Sequence, residues 1–420
     1  MRISSTTQKV TNWWYQFPTA LRTISRVRLL ASIGAGGVIY LTPLVFNKIE
    51  LSATQIGSGL AAAAFVGTIS RLIAGRTLDK GTHSSFIIRW AAFLAIFADI
   101  WLLNAQSFFS YVTGQLILGA AAGLYWPAVE VSVPSSCENF PSSKGFALAR
   151  SADALGTCIG ALIGSLMALI GEIRSIYLVD TICMIFLLVL LVSNPLKDKR
   201  AVLINQLKNN QTYEKKSVLK NSNKWFPQLI PILGLSLLAT GIFSLLQSAL
   251  PLDLVKGGVS RPPLSEGWSS TILAFQLGLL LIFQWPVGRW LSLRNPKFGL
   301  TISMSNFCIG CFLLGISTLW EKGLILALLA QFPLAFALAA FLPTATEAVI
   351  QITPLEYRGV SMALFSQCFA ISALVSPLLA GRVFDINGNG MLIWITTCIG
   401  SLTMLPLINS IREASLKAKT

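Results

Sequence analysis

The 420-residue sequence has little charge, since 12% of its residues are Asp, Glu, Lys or Arg against roughly 25% in a soluble domain. Acids are scarcer than bases, with 17 Asp and Glu beside 32 Lys and Arg. Hydrophobic residues make up 54% of the chain, and the mean hydropathy is +0.68. These values exclude an ordinary soluble domain and indicate a membrane protein.

Residues of common catalytic and metal sites are also scarce. The single histidine, His83, falls in a loop, where we expect it to be solvated. Cys308 and Cys311 form the only C-x-x-C, inside an apolar run without a second pair, so we interpret them as small buried residues and not as zinc ligands. No G-x-x-x-x-G-K-(S/T) loop is present, which argues against an ATP-driven pump. We expect no catalytic residue, no metal, no cofactor and no enzymatic activity.

What the sequence does contain is apolar runs, which recur twelve times and are long enough to cross a bilayer as helices. A polar segment with eight Lys or Arg, residues 194–226, separates the sixth run from the seventh and predicts a solvated tether. The predicted segments are a cytoplasmic N-terminal stretch 1–28, a six-helix bundle 29–193, the linker 194–226, a second six-helix bundle 227–410 and a tail 411–420. The predicted spans are 29–47, 53–75, 86–104, 108–132, 145–170, 174–193, 227–250, 268–288, 298–318, 323–347, 358–381 and 390–410.

The distribution of positive charge predicts the orientation. With the N-terminus inside, 26 of the 32 Lys and Arg fall on cytoplasmic segments or adjoining helix ends, as the positive-inside bias requires. The first 28 residues carry Arg2, Lys9, Arg22, Arg26 and Arg28 and no acid. They show no cleavable signal peptide. We therefore expect a multi-pass plasma-membrane protein, of a bacterial inner membrane, with both termini cytoplasmic and the bilayer, not nucleic acid, as the partner of its basic charge.

Motifs in the two halves repeat at a nearly fixed spacing of 213 to 217 residues. Gly75-Arg76 returns as Gly288-Arg289, and the further matches are Gln115 with Gln331, Pro127 with Pro343, Glu130 with Glu347 and Lys144 with Arg358. Six spans per half make the repeat parallel, so that the halves are related by an axis along the membrane normal. The sequence thus predicts an all-α membrane protein of twelve transmembrane helices in two pseudo-symmetric six-helix bundles, an architecture typical of transporters.

The loop after the second span, Gly75 to Gly81 with Asp79-Lys80 inside it, resembles the G-x-x-x-D-(R/K)-x-G signature of the major facilitator superfamily. The copy at Gly288-Arg289 lies where that family keeps its second copy, and the resemblance extends over about residues 29–410. It implies a cytoplasmic gate in which Asp79 faces the start of span 11 near Arg358. Gly75 is expected to allow close packing, and the gate set is Gly75, Arg76, Asp79, Lys80, Gly81, Gly288, Arg289, Glu130, Glu347 and Arg358. A tight turn with solvated charges is the alternative.

Span 5 carries Arg150 and Asp153 roughly 9 and 13 Å inward of Lys144, at 1.5 Å per residue. Ionisable residues at that depth are costly and mark functional sites. Asp153 is therefore a candidate for proton coupling, with Arg150 as the cation that favours its ionised form. A permanent salt bridge that fixes helix packing is the alternative. For Asp99 and Asp180, in spans 3 and 6, we expect a structural pairing with Arg174 or with water.

Polar residues on spans that line the central cavity in the resembling family are the candidate substrate contacts. Gln115 and Gln331 hold matching places in spans 4 and 10, and polar amides avoid lipid. We expect them to bind substrate together with Trp126, Tyr40 and Gln247, unless they serve as interhelical hydrogen bonds. Exporters of the family often carry G-P-x-x-G-G in span 5, and its proton antiporters often have an arginine at the place of Gln115. This sequence has neither the proline nor the arginine.

The sequence therefore predicts a secondary active transporter of a small organic solute that works by alternating access as a monomer. Protons are the candidate coupling ion, and export is favoured slightly over import. A non-transporting membrane receptor or scaffold on a transporter fold is the alternative.

Overall fold

The computed structural model describes residues 14–137, 142–196, 225–291, 294–353, 358–409 and Ile411. Twelve long apolar helices in this part of the chain could each cross a membrane, which confirms the predicted all-α fold and the number of spans. Their bounds are α1 Thr19–Lys48, α2 Ala53–Asp79, α3 Ser84–Asn104, α4 Phe108–Ser136, α5 Ser142–Leu169, α6 Ile176–Ser193, α7 Phe226–Ser248, α8 Glu266–Leu291, α9 Pro296–Ser317, α10 Leu324–Ile352, α11 Arg358–Asn387 and α12 Met391–Asn409.

The first helix begins ten residues before the predicted start of its span at residue 29. Its first turns bury Leu21, Ile24 and Val27 although arginines lie between them. Arg28, which we had assigned to a cytoplasmic segment, lies inside the helix with a fully buried side chain. The prediction started the span after Arg28, the last arginine of the basic segment. The sequence did not show that acids from other helices neutralise this arginine.

Helix α3 shows which face of a span meets lipid. Its large exposed side chains recur every three or four residues and therefore form one stripe, whereas four alanines and two serines make up six of its ten buried residues. The stripe consists of Phe86, Trp90, Phe93, Phe97 and Trp101. Exposed aromatic side chains in such number suit contact with acyl chains and headgroups, not with water.

Contacts divide the described chain into two compact units. The first unit contains the described residues up to Ile39, Ala62–Met167, and those from Glu172 to Leu196. Its core joins residues of α1, α4 and α6, among them Leu21, Val133 and Leu187. The second unit contains Tyr40–Ala61, Ala168–Gly171 and the described residues from Trp225 onward.

Glycines bring two pairs of helices into backbone contact in the first unit. A Cβ added at Gly156 of α5 would lie 2.6 Å from the carbonyl oxygen of Leu29 on α1, and one at Gly119 of α4 would lie 2.7 Å from Cα of Ala63 on α2. Small residues at such crossings allow close helix packing in membranes. Gly75 was expected to pack closely for the same reason; a Cβ there would meet nothing within 4 Å among the described residues, and its role in the gate stays a prediction.

In the second unit, the N-terminus of α2 is capped by a residue far along the chain. The carboxylate of Asp385 on α11 accepts hydrogen bonds from the backbone N–H groups of Ala53 (3.0 Å) and Thr54 (2.8 Å). A carboxylate satisfies the first amides of a helix and opposes the positive end of its dipole. Close by in the sequence, Lys48 forms an ion pair with Glu266 at 3.7 Å.

The second unit also contains a buried ion pair outside its spans. Asp253, in a seven-residue helix Leu250–Lys256, accepts from Nη2 of Arg261 at 2.9 Å, and both side chains are fully buried. Nη1 of Arg261 donates to Oγ of Ser317, and Oδ1 of Asp253 accepts from the backbone N–H of Gly390. The pair therefore ties the connection between α7 and α8 to the end of α9 and the start of α12.

Candidate functional site

Four charged side chains from three helices of the first unit meet in one ionic cluster, which we call the Arg28 cluster. Arg28 of α1 donates from Nε to both carboxylate oxygens of Asp153 on α5, at 2.9 and 3.1 Å, and its Nη2 also contacts Asp153. Both terminal nitrogens of Arg28 lie 3.3 Å from Oε1 of Glu130 on α4. Arg150 reaches the same oxygen of Glu130 at 3.5 Å. Two positive and two negative charges thus balance.

Helical spacing places the neighbours of the cluster. Ser32 lies one turn after Arg28 on α1 and donates to Oδ1 of Asp153 at 3.3 Å. Trp126 lies one turn before Glu130 on α4, and its ring centre is 5.7 Å from Cζ of Arg28. A guanidinium at that distance from an indole face gains a cation–π attraction. The hydroxyl of Tyr125 is buried with no hydrogen-bond partner among the described residues.

Exposure rises stepwise across the cluster. The side chain of Arg28 is 0% exposed, and the exposed fraction increases to 17% at Asp153, 32% at Glu130 and 58% at Arg150. A proton that arrives from the exposed side therefore meets Glu130 and Asp153 before it reaches the closed end. Because Arg28 binds both carboxylates, protonation of one leaves the guanidinium to the other. The arrangement can change its pairing without leaving a buried charge unpaired.

A second arginine, which was not predicted, joins the predicted partnership of Asp153 and Arg150. The ion pair of Asp153 is with Arg28, and the ion pair of Arg150 is with Glu130. Glu130, which we had grouped with the cytoplasmic gate, lies in the same cluster. Helical spacing within α5 had suggested Arg150, whereas the α1–α5 contact at Gly156 brings Arg28 closer to the carboxylate.

Arg28 is the functional candidate that the sequence analysis missed. Spans 4 and 5 carry two acids, Glu130 and Asp153, and Arg150 alone could not neutralise both. That imbalance was a signal for a second intramembrane cation. Ser32, one turn further along the same helix, was a second signal, because it continues a polar face.

The predicted substrate residues fall into both units. In the second unit, Nε2 of Gln247 lies 3.5 Å from the hydroxyl of Tyr40, which brings these two together. Gln331 is fully buried and donates from Nε2 to the carbonyl of Ala327 on its own helix at 2.7 Å. In the first unit Gln115 is buried, and its Nε2 has no hydrogen-bond partner among the described residues. Trp126 is exposed and lies beside Arg28.

A buried amide atom without a hydrogen-bond partner is costly. Such atoms are therefore candidates for hydrogen bonds to a bound solute. The Nε2 of Gln115 can donate and the Oε1 of Gln331, which also lacks a partner among the described residues, can accept. Each atom can therefore bind a complementary polar group. The roles of these five residues stay predictions.

The predicted gate residues lie at helix ends and in the turn after α2. Arg76, Lys80 and Arg289 are exposed, and Gly81 adopts φ +89°, a left-handed turn that favours glycine. A Cβ at Gly288 would meet nothing within 4 Å. Glu347 accepts from Nε2 of Gln351 at 2.9 Å. The side chains of Asp79 and Arg358 lie outside the described part of the structure, so their contact stays a prediction.

The cysteines of the C-x-x-C segment lie beside a third one. The sulfur of Cys308 on α9 is 3.6 Å from that of Cys398 on α12. Within the described ranges, no group of three or more His, Cys, Asp or Glu residues is placed to hold a metal ion.

Twelve apolar helices and a neutralised ionic cluster inside one helical unit define a polytopic membrane protein of the transporter class. The sequence profile of the Major Facilitator Superfamily matches residues 27–279, which is more than half of the chain. The chain belongs to this superfamily, as its loop motifs and internal repeat predicted. Family and fold are those of transporters.

Solved structures share this fold over nearly the full chain. A nucleoside transporter, NupG, is 13% identical and superposes with a TM-score of 0.76 over 96% of this chain and 100% of that one. A POT family transporter in complex with 5-aminolevulinic acid is 14% identical, with a TM-score of 0.76 over 94% and 97%. A D-xylose–proton symporter is 17% identical, with a TM-score of 0.75 over 95% and 98%. No curated protein matches the chain significantly.

Proposed function

We propose that this protein is a secondary active transporter that moves a small organic solute by alternating access, with protons coupled through the Arg28 cluster. The observation that carries the proposal is the fully buried Arg28, held between the carboxylates of Asp153 and Glu130. Buried ionisable groups inside membrane helices are costly and mark ion or substrate pathways. The superfamily supplies the transport class, and the cluster supplies the candidate coupling step.

Proton coupling follows from competition for one guanidinium. When Asp153 is ionised, it holds Arg28 through two nitrogens and so joins α1 to α5. When Asp153 takes a proton, this charge-assisted contact weakens and Arg28 turns to Glu130, which joins α1 to α4 instead. A proton thus changes which helices are tied together, and alternating access needs such a change. This mechanism suits either direction of transport, and of the two we slightly favour export.

The candidate substrate contacts support a neutral or zwitterionic solute. They are amides and aromatic side chains, Gln115, Gln331, Gln247, Tyr40 and Trp126, without a cluster of free cations such as a multiply charged anion needs. We further propose that the protein acts as a monomer in a bacterial inner membrane with both termini in the cytoplasm. The distribution of Lys and Arg carries the orientation.

Exchange measurements test the function itself. Purified protein is first screened by thermal shift against nucleosides, dipeptides and pentoses, and a stabilising compound is then used in radiolabelled counterflow in liposomes. A transporter exchanges the labelled solute across the bilayer and accumulates it under a pH gradient of one sign. A receptor or scaffold binds the compound without exchange, which is the outcome that overturns the proposal. Protein-free liposomes are the control.

A separate prediction concerns the gate residue Asp79. Asp79→Asn removes the charge that the family resemblance places against the start of α11, and we expect the closed cytoplasmic gate to weaken. A helix-dipole contact of about 1 kcal/mol corresponds to a roughly fivefold change in the gate equilibrium. The measurement is maleimide labelling of a reporter, Gln351→Cys, near the end of α10. Glu172→Gln, an exposed acid in the turn before α6, is the matched control, and an unchanged rate in Asp79→Asn removes Asp79 from the mechanism.

A further inference from the structure

A second buried acidic site lies in the first unit, away from the Arg28 cluster. Asp99 of α3 and Asp180 of α6 are both buried, and their carboxyl groups lie close enough to interact electrostatically. Helices α3 and α6 pack against each other there. Neither residue contacts Arg28, Glu130, Arg150 or Asp153 in any described hydrogen bond or ion pair, so the transport mechanism above does not use them.

The cation that we expected beside this pair is directed elsewhere. Arg174 donates from Nη1 to the carbonyl of Leu103 at 3.1 Å and from Nη2 to that of Ala105. The predicted pairing of Arg174 with Asp99 or Asp180 is therefore wrong. A guanidinium satisfies free carbonyls at the end of α3 just as well, and spacing along the chain could not distinguish these partners.

At three of the four carboxyl oxygens, no donor among the described residues takes the place of Arg174. Both oxygens of Asp99 and Oδ1 of Asp180 lack a donor from any other described residue. Helix α1 presents Gly34, and a Cβ added there would lie 2.7 Å from Cγ of Asp180, so the backbone of α1 covers this carboxyl directly.

Cys183 of α6 is the titratable side chain that faces the pair, and it is not a cation. Tyr111 of α4 and Tyr177 of α6 are close to each other. The arginine of α3, Arg89, donates to the carbonyl of Leu191 at 2.8 Å.

Two ionised carboxylates in this position would face each other without a counter-charge. Their repulsion is strong at low dielectric, and each buried oxygen would also lose its hydrogen bonds to water. One proton removes both problems, because one acid then donates a short, strong hydrogen bond to the other carboxylate. We propose that Asp99 and Asp180 bind one proton between them and form a proton site separate from the Arg28 cluster. This inference does not depend on the proposed transport.

A metal cation fits the site less well than a proton does. Sodium-like and divalent cations take about six or more oxygen ligands, whereas two carboxyl groups are present and the backbone at Gly34 closes one side. A shared proton also has a structural consequence. Loss of the proton would leave two carboxylates that repel each other and press on the backbone of α1. The proton therefore stabilises the packing of α1, α3 and α6.

Infrared difference spectroscopy of the purified full-length protein tests the proposal. The wild type is expected to show a protonated-carboxyl C=O band at neutral pH that disappears on alkaline titration. Asp99→Asn and Asp180→Asn should each remove this band, because the asparagine amide then donates to the remaining carboxylate in place of the proton. Glu172→Gln, which replaces an exposed acid outside both clusters, is the control and must leave the band unchanged.

Thermal unfolding gives a second, independent measurement. The folded pair holds its proton more tightly than two separated carboxyls of the unfolded chain, so the melting temperature of the wild type must fall as the pH rises and the proton leaves. The two asparagine variants should lack this part of the pH dependence. If the variants do not fold, titration of the wild-type band with and without sodium chloride remains decisive. A band that neither variant removes overturns the proposal, and so does a wild type without the band or a band that sodium displaces at constant pH.

Discussion

Arg28→Met is expected to abolish solute exchange, with counterflow at least a hundredfold slower than in the wild type. The side chain of Arg28 is fully buried and neutralises Asp153 and Glu130 together. Removal of one partner of a buried ion pair costs about 3–5 kcal/mol, because the other charge stays buried without compensation. A methionine of similar length keeps the packing and loses the charge. Radiolabelled counterflow in liposomes measures the effect.

The matched control for this prediction is Arg26→Met. Arg26 lies two residues earlier on the same helix, is exposed, and has its guanidinium over the ring of Trp14. It should exchange solute at nearly the wild-type rate. Arg28→Lys should fall between the two, because an ammonium keeps the charge but cannot bind two carboxylates as a planar fork does. Wild-type exchange by a folded Arg28→Met protein would contradict the role of the Arg28 cluster.

Asp153→Asn is expected to separate coupling from movement. The asparagine oxygen still accepts from Arg28, so the variant should fold and exchange labelled solute within about threefold of the wild type. It cannot bind or release a proton, so accumulation driven by a pH gradient should drop at least tenfold, about 1.4 kcal/mol of lost coupling. Both quantities are measured on the same liposomes, with the pH gradient applied in each direction.

Glu130→Gln is the comparison that identifies the proton carrier. Glu130 shares Arg28 with Asp153 but also binds Arg150, so its replacement should weaken exchange and coupling together. If Asp153→Asn keeps full accumulation under a pH gradient, proton coupling through Asp153 is excluded. If Glu130→Gln alone loses accumulation while exchange continues, the proton resides on Glu130.

The sequence predicted two kinds of feature of the fold. One kind repeats along the chain, and the other depends on a single segment. Twelve apolar runs required twelve helices, because each backbone polar group must be satisfied within its own segment in lipid. The loop motif around Gly75 and its copy at Gly288 predicted the superfamily. The contact at Gly156 is also local in origin, since a residue without a side chain lets a neighbouring backbone approach.

The pairing of charges could not be predicted in the same way. Arg28 looked like one more base in a basic segment, and its partner Asp153 is 125 residues further along the chain. Arg174 lies near Asp180 in sequence and yet binds two backbone carbonyls. Each of these outcomes depends on which helices become neighbours, and composition does not encode that.

The carboxylate of Asp385 at the first amides of α2 has a consequence for biosynthesis. The residues it joins are separated by 331 and 332 positions, and a ribosome adds roughly 5–20 residues per second. The start of α2 therefore leaves the ribosome roughly 15–70 seconds before its cap exists. During that interval water, headgroups or an insertion factor must satisfy these amides. A nascent chain arrested before residue 385 keeps this helix end open, and its completion waits for one of the last helices to be inserted.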